Sequence, residues 1–85
     1  MARSFLQKEF DYLFEELNPH SLGIVLRAIR ECNGVSKTDL ARMIGVNRKT
    51  VLIVENGDRL PSLIYIYKFL KIFNTTLDSV LSFIE

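Results

Sequence analysis

The sequence predicts an all-α domain of short helices, on three observations. Apolar residues recur every three or four positions along successive segments, the spacing of one helix face. Beyond residue 20, each such segment is preceded by a capping residue: Ser21, Ser36, Asn47, Ser62 and Thr76. The segments are closed by residues that tolerate a left-handed or irregular backbone: Asn33-Gly34, Gly45, Asn56-Gly57 and Asn74.

In chain order, residues 4–17 form an amphipathic helix with Leu6, Phe10, Leu13, Phe14 and Leu17 on one face; Phe5 and Tyr12 lie off that stripe. It is expected to pack on the domain's own core, the alternative being a second protomer or a partner protein. Asn18-Pro19 ends it, because the residue before a proline avoids the helical region. Residues 1–20 thus stand apart from a main domain over 21–85. His20 is expected at the surface, since no Cys, Asp or Glu stands at metal-ligand spacing from it. Ser21 is expected to cap the first domain helix, which runs to about Cys32 with Leu22, Leu26 and Ile29 inward. Ile24, Val25 and Ala28 add apolar surface on a second side, which the N-terminal helix would cover.

From Ser36 to Gly57 the chain reads as two short helices joined by a tight turn, a helix-turn-helix. Ser36 caps the first, and Leu40, Ala41 and Ile44 are its inward residues. Small Ala41 lets the second helix cross closely. Gly45 makes the stop, because a left-handed backbone costs glycine little. Asn47 caps the second helix, whose inward face is Val51 and Val54. Pro61-Ser62 starts a fourth helix through about Phe73, with Leu63, Ile66, Phe69, Leu70 and Phe73 as expected core. Ile64, Tyr65 and Tyr67 exceed what one face can bury. Thr76 caps a fifth helix holding Leu77, Val80, Leu81 and Ile84, with Phe83 left exposed as a dimer contact.

Composition limits the function. Eighty-five residues make one domain with a marginal core. Yet 48% of them are apolar, more than such a core can hold, so self-association or a partner is expected. The longest apolar run, Leu63 to Tyr67, is far too short to span a membrane, and no secretory signal is visible. The single Cys32 excludes an internal disulfide and suits a reducing cytoplasm, as a structural or surface thiol. Net charge is only +1, but residues 21–59 carry +3 against −2 over residues 1–20. Positive charge concentrates on the two-helix motif, as a surface facing DNA requires.

The motif resembles that of the phage repressor and Cro class, the Xre family. The resemblance rests on Leu40-Ala41, Ile44-Gly45-Val46, Val51, Val54-Glu55 and Gly57, followed by Pro61-Ser62-Leu63, and extends from about Leu22 to about Val80. It implies a lambda-repressor-like five-helix DNA-binding domain, here with an extra N-terminal helix. It also implies that Arg30 pairs with Glu55, tying the first helix to the third.

In this class the second helix of the motif enters the major groove with its N-terminal residues at the base edges. Arg48 and Lys49 are then the leading readers, Arg48 ahead because its planar fork can meet two guanine acceptors at once. Asn47 and Thr50 suit phosphates or nearby bases. Lys37 stands where relatives usually carry Gln, and can hold a phosphate but not copy the amide's paired donor and acceptor. Asn56 and Arg59 match phosphate-touching positions. Leu52 and Ile53 depart from the family's usual polar residues. With Val51 and Val54 inward they should point outward, where Ile53 meets a thymine methyl or the pair meets a protein.

Enzyme chemistry is not expected, for the chain offers no nucleophile–base pattern, phosphate loop or metal spacing, and no cofactor is implied. The resemblance implies a dimeric, sequence-specific double-stranded DNA-binding regulator, a repressor by family habit, on a pseudo-palindromic operator. A close variant is an antitoxin that represses its own operon, with the N-terminal helix covering a toxin. From another class comes a pure protein-interaction module on the same scaffold, motivated by Leu52, Ile53 and the low net charge.

Overall fold

Residues 18–84 are described in the computed structural model of the protein, so the helix expected over 4–17 lies outside them. Five helices follow one another among the described residues: α1 (Pro19–Cys32), α2 (Lys37–Ile44), α3 (Arg48–Glu55), α4 (Leu63–Ile72) and α5 (Leu77–Ser82). This is the all-α, five-helix arrangement expected from the sequence.

Four starts are capped by the expected side chains. Ser36 Oγ accepts the Asp39 N–H at 3.0 Å, and Asn47 Oδ1 accepts that of Thr50 at 2.9 Å. Ser62 Oγ accepts the Tyr65 N–H, and Thr76 Oγ1 that of Ser79, both at 3.1 Å. Each satisfies one orphan amide of a first turn, an interaction worth about 1 kcal/mol. The first start differs. Asn18, not Ser21, caps α1, accepting the His20 N–H at 2.8 Å, and Pro19 is the first helical residue. The Asn18-Pro19 pair is thus a helix beginning, for proline lacks the amide that a first turn leaves unpaired and has its φ preset.

The stops are conformational. Gly45 takes φ 90°, and the amides of Gly45 and Val46 both return to the Ala41 carbonyl. Asn74 takes φ 49°, the left-handed cap expected of it.

Packing joins α2 to α3, α1 to α3, α2 to α4 and α1 to α5. The core is Leu22, Val25 and Leu26 of α1, Leu40, Ala41 and Ile44 of α2, Val51 and Val54 of α3, Tyr65 and Phe69 of α4, and Val80 of α5. Ile29 is packed against its edge. Two expectations on α1 divide: Val25 joins the core, whereas Ile24 and Ala28 remain exposed.

The phase of α4 is the main correction. Leu63, expected inside, is 84% exposed, whereas Tyr65 is 1% exposed and central. Tyr65, Phe69 and Phe73 run at four-residue spacing along the inward line, the Phe69 and Phe73 rings meeting at 4.6 Å. At 3.6 residues per turn Leu63 falls roughly 120° from Phe69. Because α4 is apolar nearly all round, its periodicity had no unique phase.

Tyr65 carries its own prediction. Its hydroxyl is buried with no hydrogen-bond partner among the described residues, a cost of about 1–3 kcal/mol. Tyr65→Phe should therefore raise stability by about 1 kcal/mol in urea titrations at neutral pH. Burial, reinforced by Glu55, pushes the phenol's pKa up in the fold. An unfolded tyrosine ionises near pH ~10 while the folded one keeps its proton, so the wild type loses stability above that pH. The advantage of Tyr65→Phe should widen there; an unchanged difference from pH 8 to 11 would refute the assignment.

Candidate nucleic-acid interface

Two helices and the turn between them build the surface. Gly45 reverses the chain after α2, Asn47 begins α3, and so Arg48 and Lys49 occupy the first turn of α3. Both are exposed, and neither is engaged in a salt bridge among the described residues. They stand at the positive end of the α3 dipole, which attracts phosphate.

The other expected site residues divide into two groups. Thr50 completes that first turn, and Ile53 stands one turn beyond Lys49. With Val46, Arg59, Pro61 and Tyr65 they line a shallow groove of about 350 Å³. Arg59 is exposed, so a cation flanks this groove. Asn56 is elsewhere: as the C-cap of α3 it lines a second depression with His20, Arg27 and Glu31. Lys37 opens α2 and is half-buried. Leu52 and Ile53, expected to point outward, are both half-buried. Each keeps part of its side chain accessible while shielding the helix.

Asn47 is less free than its sequence position suggests. Its Oδ1 accepts both the amide of Thr50 and the Thr50 hydroxyl, at 2.9 and 3.2 Å. The amide nitrogen remains the group it can present to a phosphate or base. The same bonds fix the Thr50 rotamer at the groove.

Two supports beneath the surface hold it in place. Arg30, reaching from α1, donates from Nε and Nη2 to the Glu55 carboxylate at 2.7 and 3.0 Å, and from Nη1 to the Val35 carbonyl at 2.8 Å. Arg30 and Glu55 are 5% and 7% exposed, so this forked pair is desolvated. The bond to Glu55 holds the guanidinium above its already high ordinary pKa, making it a permanent cation. The second support had no signal in the sequence pattern. Lys68 of α4 donates from Nζ to the Ile44 carbonyl at 2.9 Å. A cation there satisfies a C-terminal carbonyl of α2 and complements its dipole, steadying the turn that aims α3.

These features coincide with relationships to known proteins. Residues 26–80 match a family model described as helix-turn-helix. An uncharacterized HTH-type transcriptional regulator of Archaeoglobus fulgidus is 33% identical over 58 residues, covering 68% of this chain and 83% of that protein. YgzD of Bacillus subtilis, also named an uncharacterized HTH-type transcriptional regulator, is 34% identical over 55 residues, 65% of this chain and 83% of its own. Among solved structures, the clp gene regulator ClgR from Corynebacterium glutamicum superposes with a TM-score of 0.74 at 24% identity, covering 80% of this chain and 72% of that one. That last likeness is one of fold. The chain belongs to the helix-turn-helix family, in its Xre class. No helix among the described residues is long and apolar enough to cross a membrane.

Proposed function

We propose that this protein is a sequence-specific double-stranded DNA-binding regulator of transcription, acting as a dimeric repressor on a pseudo-palindromic operator. The observation that carries the reading is the first turn of α3, where Arg48 and Lys49 stand exposed at the positive helix end, outside any salt bridge among the described residues. Thr50 completes that turn, and Ile53 lies one turn beyond Lys49. In such a dimer the two α3 helices would enter successive major grooves about 34 Å apart. Arg48 reads guanine through its fork and Lys49 reads an adjacent base or phosphate. Ile53 meets a thymine methyl, while Lys37 and Arg59 hold the backbone on either side. The names of the relatives, HTH-type transcriptional regulators, support the same role.

Fluorescence anisotropy on a duplex, titrated from about 50 to 200 mM salt, tests this. With six or more phosphates neutralised, affinity should fall by about a thousandfold or more across that range. Arg48→Ala/Lys49→Ala should abolish selective binding, since each bidentate pairing with a base supplies about 1–3 kcal/mol of discrimination. Absence of wild-type binding even at the lowest salt would replace the reading by a protein-interaction role for Leu52 and Ile53.

A further inference from the structure

Helix α4 is apolar on two opposite sides, and the domain core uses one of them. Tyr65 and Phe69 are buried there. Across the helix, Leu63, Tyr67 and Lys71 follow one another at four-residue spacing, with Ile64 on their flank. Leu63, Ile64 and Tyr67 are 84%, 65% and 57% exposed, and the Lys71 ammonium lies 5.2 Å from the centre of the Tyr67 ring. No residue of α4 is acidic.

We propose that a second copy of the chain docks on this outer face, α4 against α4 and antiparallel, across a two-fold axis at Tyr67; the need for a second copy rests on the function proposed above. Area is the first reason. The exposed parts of Leu63, Ile64 and Tyr67 come to on the order of 400 Å², most of the apolar share of one side of a standard interface, about 57% of about 800 Å². Shape is the second. The face is a convex ridge, and the side-chain ridges of one helix pack into the grooves of another, so it is complementary to its own copy. Leu63 of each copy then stands level with Lys71 of the other, whose four-carbon stem can cover it. Position is the third. Ser62, the N-cap of α4, lines the groove that Thr50, Ile53 and Arg59 also line, so α4 begins at the edge of the candidate DNA surface. With the two α4 axes about 8–10 Å apart, α3 helices about 34 Å apart each lie about 12 Å from their own α4, close to one helix diameter. Helices α3 and α4, as two walls of one groove, fit that spacing.

Sedimentation equilibrium of the full chain without DNA tests this. The wild type should be a dimer at micromolar concentration. Tyr67→Glu sets a carboxylate from each copy at the axis and should weaken the dimer by at least about a hundredfold, with the circular dichroism of the fold unchanged. Phe83→Glu, at the 71% exposed residue beside α1, should leave the dimer intact. In a Cys32→Ser background, Tyr67→Cys should form a disulfide between two copies on mild oxidation, because equivalent residues at a two-fold axis come within the span of that bond; Phe83→Cys should not. A monomeric wild type, a dimer that survives Tyr67→Glu, or one that dissociates in Phe83→Glu would overturn the proposal. Duplex binding is measured separately on the same samples. A Tyr67-dependent dimer that binds no duplex would support this interface and remove the DNA reading. Duplex binding unaffected by Tyr67→Glu would keep that reading and overturn the interface.

Discussion

Arg30→Met should lower the stability of this protein by about 3–5 kcal/mol, as read from urea or thermal unfolding. The Glu55 carboxylate receives both of its charge-assisted bonds from this one guanidinium, at 2.7 and 3.0 Å. Without Arg30 it is left charged, or protonates at comparable cost, in a site only 7% exposed. The Val35 carbonyl is deprived of its donor as well. Small domains hold about 5–15 kcal/mol in total, so the variant should stand close to unfolding at 37 °C. Arg30→Lys should not rescue it, because a single ammonium cannot supply three bonds from one rigid fork. Arg30→Met/Glu55→Leu should recover most of the stability, since a packed apolar pair needs no compensation for desolvated charge. A decrease below about 1 kcal/mol in the single variant would mean that water reaches the pair in solution. Because the bridge links α1 to the last turn of α3, its removal should also weaken duplex binding without any change to Arg48 or Lys49.

Gly23→Ala comes next, and here the sign is the test. At an ordinary helix position this change stabilises by about 1 kcal/mol. A Cβ on Gly23 would stand 2.5 Å from the Val54 carbonyl oxygen and 2.8 Å from that of Glu55. Both neighbours are backbone at the end of α3, so neither can swing aside as a long side chain would. Relief requires α1 and α3 to separate, which loosens the packing of Leu22 and Leu26 against Val51 and Val54. Overpacking of this kind costs about 1–3 kcal/mol or more, giving an expected net destabilisation of about 2 kcal/mol. Calorimetry on the purified variant decides it: a raised Tm would show that the helices do not cross here as closely as described.

Much of the architecture was legible in the residues because it depends on local chemistry. Ser36, Asn47, Ser62 and Thr76 announce helix starts through side-chain oxygens that reach their own third residue, and the structure shows each bond. Gly45 and Asn74 announce turns because few other residues tolerate positive φ. The Arg30–Glu55 bridge came from the family resemblance rather than from spacing, since 25 residues separate the partners. The place of Arg48 and Lys49 was legible locally, since a capped helix after a glycine turn puts them in its first turn, while their candidacy as readers came from the family resemblance.

Where several local solutions were equally good, the residues named none of them. Asn18-Pro19 is a local signal that suits either end of a helix, and the hydrogen bonds from the start of α1 to Asn18 show that it begins α1. In α4, Leu63 and Tyr65 had equal apolar claim to the core, and in the packed domain, where α4 lies against α2, Tyr65 and Phe69 are the ones buried. The need for glycine at position 23, and the bond from Lys68 to the Ile44 carbonyl, arise between elements far apart in the chain. A chain's local pattern encodes what a residue can do within one or two turns of itself. Which helix faces meet, and how closely, follows from fitting all five side-chain surfaces together at once.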